Sequence, residues 1–204
     1  MPRRCGRPAK DEPCVASREQ IIEATGRIIE RERADAVTVR YVIGEAGISN
    51  GTFYHYFSNK DELMVSFLSG SNYESCELAL PLSDIGGRVA ELYARLAKRY
   101  GELGADFMKK FYTPSNRALA GFIDSGDSKS GVVSIVERSR REIQAAQDAG
   151  VLSAELSSGQ MADDCCTIVK GCIFSWCLMD CLGDVAGDLA RLLRNYFYRY
   201  LQSC

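Results

Sequence analysis

Residues 47–57 read GISNGTFYHYF: two glycines around a polar pair, then five rings in succession from Phe53 to Phe57. Gly47 suits the residue that ends a helix in a left-handed turn, and Ser49 suits the cap that starts the next one. Just upstream, Thr38 is placed to cap a short helix carrying Val39, Val42 and Ile43. Further back, Ser17 followed by Gln20 is a capping box, and Ile21, Ile22, Ala24, Ile28 and Ile29 continue it as an apolar stripe to about Arg33. The order is helix 17–33, short helix 39–45, turn at Ala46-Gly47-Ile48, short helix 49–56. That spacing predicts a helix-turn-helix inside a three-helix unit.

At about 100° per residue, Phe53 and Phe57 fall on one side of the second short helix. They are expected to pack on Ile28, Ile29 and Val42. The other side presents Gly51, Thr52, Tyr54 and His55, flanked by Asn50 and Tyr56. Part of the aromatic run is therefore core and part faces outward. A glycine, an amide, hydroxyls, phenols and an imidazole form a face suited to a DNA duplex. Gly51 lets the backbone approach closely, Asn50 can read a base edge, and the hydroxyls can reach phosphate oxygens.

On these residues the stretch TVRYVIGEAGISNGTFYHYFSNKDEL, residues 38–63, resembles the helix-turn-helix signature of the tetracycline-repressor (TetR) family of bacterial transcription regulators. Thr38, the Ala46-Gly47-Ile48-Ser49 turn, Gly51-Thr52, Tyr54, Phe57, Lys60 and Leu63 fall in register with it. The resemblance covers residues 17–63 and implies a DNA-binding set that includes Ser49. Within that set Thr38, Thr52, Tyr54, Tyr56 and Lys60 would hold phosphates, and Arg40, Asn50, Gly51 and His55 would face base edges. Two departures stand out: Arg33-Ala34-Asp35-Ala36 where the family often has glycine and an aromatic, and Ile43-Gly44 where alanine and a polar residue are commoner. Neither lies on the outward face.

Ahead of this unit the tail MPRRCGRPAK gathers Arg3, Arg4, Arg7 and Lys10, a basic arm of the kind that approaches nucleic acid. Cys5-Gly6-Arg7-Pro8 resembles the Gly-Arg-Pro core of minor-groove hooks, with Cys5 where an arginine is expected. This assigns Arg7 to a narrow minor groove. Residues 1–60 hold 10 Lys/Arg against 8 Asp/Glu, whereas the whole chain has a net charge of −2. Positive charge is concentrated in the N-terminal portion.

Beyond residue 63 the pattern remains helical. Asn59 is expected to cap a helix running to about Pro81, followed by helices near 84–100, 103–112, 130–149, 160–182 and 186–202. No strand-length alternation or fixed-period repeat occurs. The expected architecture is all-α: a flexible basic arm (1–16), a DNA-binding unit (17–63) and a larger helical ligand-binding and dimerisation domain (64–204). Helices 160–182 and 186–202 are apolar enough to bury one face internally and another against a second copy, and the resemblance implies a four-helix dimer interface. Tyr100, Phe107, Met108, Phe111, Tyr112 and Phe122, with Trp176, are candidates to line a pocket for a small-molecule effector. The same side chains also suit a core.

Other functional classes find less support. Paired carboxylates, a nucleophile–base pair and a phosphate-binding loop are missing, so an enzyme is not expected. The nine cysteines include no CxxC, and the single histidine is His55, so neither a structural metal nor a cofactor is expected. Cys165, Cys166, Cys172, Cys177 and Cys181 on one predicted helix leave a thiol redox-switched regulator as the alternative reading. With no apolar run of the roughly 18–20 residues that span a bilayer and no signal-like N-terminus, a reducing cytoplasm is the expected location.

Overall fold

The computed structural model describes residues 17–119 and 133–202. Regular structure among the described residues is helical, apart from one antiparallel bridge between Leu152 and Leu201. Helix α1 (Arg18–Glu32) opens on the Ser17/Gln20 capping box. Helix α2 (Val39–Ala46) is capped by Thr38, whose Oγ1 accepts from Tyr41 N at 3.2 Å, and ends at Gly47 with φ +66°. Helix α3 (Asn50–Tyr56) is capped by Ser49, and α4 (Lys60–Ser69) by Asn59. Every cap expected in this portion is made. Ile21, Ile28, Val42, Phe53, Phe57 and Leu63 form its buried core.

Helix α4 ends twelve residues before the expected stop at Pro81. The Ser69 hydroxyl donates back to the carbonyls of Val65 and Ser66, and the Gly70 amide closes on Ser66. These local bonds compete with helix continuation, and residues 69–77 offer no apolar stripe to oppose them. The chain instead crosses as an irregular strap over the following helices. Asn72 accepts from the amides of Glu74 and Val133, and the buried Tyr73 donates its amide to Val133 O. The expected domain boundary after Leu63 falls inside α4.

Helix α5 (Ile85–Leu103) is capped by Asp84, whose carboxylate accepts from Gly87 N at 2.9 Å. It passes through Gly101, where a break was expected, and stops at Gly104 with φ +92°. Gly101 makes an ordinary helical residue, whereas only glycine adopts the Gly104 conformation without strain. Helix α6 (Ala105–Phe111) follows, then α7 (Ile135–Asp148), α8 (Ser158–Leu178) and α9 (Val185–Tyr198). Helix α8 stops four residues short of expectation, because Asp180 and Cys181 take φ +58° and Gly183 φ +94°. Cys181 therefore lies in the turn after the helix and not on it. No helix among the described residues is long and apolar enough to cross a membrane.

The central element of the larger unit is α5, packed against α7 and α9, with Val89, Tyr93 and Tyr100 buried. At Gly86 the α5 backbone meets α9 so closely that a Cβ would lie 2.7 Å from Arg194 Cα. Backbone yields less readily than a side chain. Gly86→Ala is therefore expected to destabilise the fold by about 1–3 kcal/mol, read as a lower urea midpoint at unchanged slope.

Candidate nucleic-acid interface

The caps fix how α2 and α3 cross, and the crossing sorts the aromatic run. Phe53 and Phe57 are buried, with ring centroids 5.9 Å apart, while Tyr54 keeps 57% of its surface exposed. Arg40, Ser49, Asn50, Gly51 and His55 are exposed, and Thr52 and Tyr56 are half-buried at the edges. Around Gly51 a Cβ would meet only Ser49 Oγ, at 3.6 Å, so the start of α3 presents bare backbone to solvent. Ser49 Oγ accepts from Thr52 N at 3.1 Å and lies 2.9 Å from Thr52 Oγ1. The Thr38 hydroxyl likewise caps its helix as an acceptor, and its own proton remains available to a phosphate.

A polar clamp that the sequence reading missed holds α2 against α1. Glu45 receives Arg27 at 3.0 Å and Arg31 at 2.8 Å. Arg31 also donates to Tyr41 Oη, and Tyr41 in turn donates to Glu32. Hydrogen bonds from Arg31 and then Arg27 keep the Glu45 carboxyl below the usual carboxylate range. On the other side Arg18 donates to Ser66 Oγ at 2.6 Å and lies over the Phe57 ring, tying α1 to α4. The partners are 9 to 48 residues apart, so no pattern within a helical turn announces them.

Lys60 differs from its neighbours. It is half-buried, with its ammonium 5.8 Å from the centroid of Phe107 on α6, and desolvation lowers its pKa. Arg7 lies outside the described residues, as does Phe122.

The other sequence candidates are divided by the fold. Tyr100 and Tyr112 line a partly open apolar cavity of about 50 Å³ between α4, α5, α7 and α8. Phe107, Met108 and Phe111 are buried core that does not line it, and Trp176 lines a surface groove between α8 and α9. Sequence reading missed Leu68, Tyr73, Tyr93, Cys166 and Val169 as cavity wall. These positions are scattered along the chain, and only the aromatic letters at 73 and 93 hinted at them.

Burial raises the thiol pKa of Cys165, Cys172, Cys177 and Cys181, that of Cys177 to about 12. Burial favours the neutral thiol, whereas redox switching needs the thiolate. No group of three potential metal ligands is assembled among the described residues.

A capped helix-turn-helix with a polar outward face is an arrangement suited to a DNA duplex. The sequence profile of the bacterial regulatory proteins of the tetR family matches residues 21–67. An HTH-type transcriptional regulator of Haemophilus influenzae is 43% identical over 49 residues, and the HTH-type regulator PksA of Bacillus subtilis is 45% identical over 47. These alignments take in 24% and 23% of this chain, and 26% and 23% of the two relatives. The chain thus matches about a quarter of the length of either. A likeness of fold extends further: the crystal structure of Thermus thermophilus FadR, a TetR-family repressor in complex with lauroyl-CoA, superposes with TM-score 0.58 at 16% identity. That superposition covers 87% of this chain and 92% of that one. Residues 21–67 are thus similar to the tetR family of bacterial regulatory proteins, and the likeness over the rest of the chain is one of fold.

The exposed face yields a direct test. Asn50→Ala and Arg40→Ala are expected to cost about 1–3 kcal/mol each at a cognate site and to relax preference at particular base pairs. Tyr54→Phe should weaken cognate and random duplexes alike. Binding selections on each variant read both effects.

Proposed function

We propose that the protein is a homodimeric, DNA-binding repressor that releases its operator when a small molecule enters the cavity of the larger domain. The observation that carries the reading is the outward face of α3, where Asn50, Gly51, Tyr54 and His55 stand exposed beside buried Phe53 and Phe57. Selection from random duplexes is expected to recover a two-fold symmetric site, its half-sites separated by a distance that the dimer sets. Recovery of no such site would overturn the proposal. Within this reading Thr38, Thr52, Tyr54, Tyr56 and Lys60 contact phosphate, Arg40, Asn50, Gly51 and His55 face bases, Ser49 belongs to the same DNA-binding set, and Arg7 enters the minor groove.

Lys60 must leave Phe107 to reach a phosphate. Lys60→Ala is expected to flatten the slope of log K against log salt by about 1 per subunit. An unchanged slope would assign the residue to the Phe107 contact alone.

Dimerisation through α8 and α9 is supported by apolar surface left uncovered. Leu178, Leu182 and Tyr198 are 70%, 73% and 77% exposed. Beside Leu182 runs the groove lined by Ile168, Trp176, Met179 and Leu192. Such a face is stable in water when a second copy covers it. Leu182→Arg is expected to yield monomers in sedimentation and to reduce operator affinity at least tenfold.

Helix α4 connects cavity and DNA. Leu68 and Ser69 in its last turn line the cavity, and Lys60 begins it roughly 15 Å away. Arg99 on α5 donates to Phe67 O at 2.8 Å and lies 4.7 Å from the Phe67 ring centroid, fixing that end. The cavity is smaller than an organic effector, so entry displaces its walls, α4 among them. Effector and operator should then weaken each other by one common factor, about 5–150-fold. Equal effector affinity with and without operator would exclude the mechanism.

A further inference from the structure

The ligand-responsive reading leaves open what kind of molecule the cavity takes, and its wall is specific on that point. Among the described residues no Asp, Glu, Lys or Arg lines it. The nearby cation, Arg99, is already engaged by Ser71 Oγ, Phe67 O and the face of Phe67. Polar atoms come chiefly from tyrosines and serines, and most have partners. Tyr93 Oη lies 3.1 Å from Cys166 Sγ. Ser69 donates to backbone carbonyls, and Ser134 Oγ caps α7 by accepting from Glu137 N.

Tyr100 is the buried exception among the described residues that line the cavity. The residue is 1% exposed, it lines the cavity, and its hydroxyl has no hydrogen-bond partner. A buried phenol without a partner forfeits the hydrogen bond it makes to water when unfolded. Burial also raises its pKa well above the usual phenol range, first by desolvation and then through Tyr112 and Tyr73. It is therefore a neutral donor at any physiological pH. Tyr112, with its ring centroid 6.3 Å from that of Tyr100, supplies an aromatic wall next to it.

We propose that the effector is a neutral, largely apolar molecule bearing one oxygen acceptor, such as an aromatic ketone, ester or lactone, and that the Tyr100 hydroxyl donates to that oxygen. An anion has no counter-charge here and would be desolvated without compensation. A plain hydrocarbon would leave the phenol unpaired. The inference rests on the cavity being the effector site and adds the chemistry that selects the effector.

Three probes of similar outline separate these cases: acetophenone with a neutral carbonyl, ethylbenzene with no acceptor, and benzoate with a charge. In ligand-observed NMR titrations of the full chain, acetophenone is expected to bind about tenfold tighter than either of the others. Tyr100→Phe should remove that advantage, leave ethylbenzene unchanged, and not lower the melting temperature of the ligand-free protein. Benzoate binding as tightly as acetophenone overturns the inference. So does a Tyr100→Phe variant that keeps the preference for acetophenone, a melting temperature that falls on losing the hydroxyl, or a failure of all three probes to bind. Release of DNA is measured separately on the selected operator. If acetophenone binds through Tyr100 and DNA stays bound, the effector chemistry stands and the release mechanism fails. If a charged compound releases DNA, the release mechanism stands and the effector chemistry fails.

Discussion

Helix α4 joins the two units within one continuous core, and that constraint organises the molecule. Near its start Leu63 and Met64 are buried with the helix-turn-helix, and at its end Leu68 is buried against the larger unit. Ten residues of helix behave as a short rigid rod. A shift at one end therefore cannot be absorbed inside the element and must appear at the other. The early stop at Ser69 matters for the same reason. A helix continuing to Pro81 would occupy the space that the strap through Tyr73 fills, and Tyr73 would no longer close the cavity.

Around this rod the charged side chains orient the helices more than they stabilise them. The Arg27/Arg31/Glu45 cluster is solvent-exposed on its arginine side, and such pairs contribute little net free energy. Their geometry nonetheless fixes α2 relative to α1, which sets the direction in which α3 presents Asn50 and Tyr54. The partly buried group of Arg88, Glu142 and Arg138 plays the matching role in the larger unit, joining α5 and α7 and reaching the strap at Leu80 O and Glu74 O. Apolar burial holds each unit together, and the polar contacts select one arrangement of its helices.

The two halves also differ in how their apolar surface is used. In the helix-turn-helix unit the large apolar side chains are buried or, like Ile22, Ile29, Ile43 and Ile48, half-buried, and the exposed Tyr54 ends in a hydroxyl. In the larger unit Phe174, Leu178, Met179 and Leu182 remain uncovered along α8 and the turn after it, beside the groove that holds Trp176. The cysteine-rich stretch runs along this same helix. There its thiols serve as small apolar side chains whose ionisation burial opposes.

From residues 17–63 alone the helix-turn-helix was legible almost residue by residue, because each signal is local. Ser17, Thr38, Ser49 and Asn59 cap helices within three positions of themselves, Gly47 turns on its own φ, and the spacing of Phe53 and Phe57 follows from helical geometry. Helix existence beyond residue 63 was legible for the same reason. Its boundaries at Ser69, Leu103 and Leu178 were not, since back-bonding serines and left-handed residues settled them. The cavity depended on tertiary structure entirely. Tyr73, Tyr93, Tyr100 and Cys166 come together only when α5 packs between the strap and α8, and nothing within a few residues of Tyr100 reveals that its hydroxyl will be left without a partner. Short-range hydrogen bonds and periodicity are written in the chain, whereas a cavity is what remains after distant side chains have met.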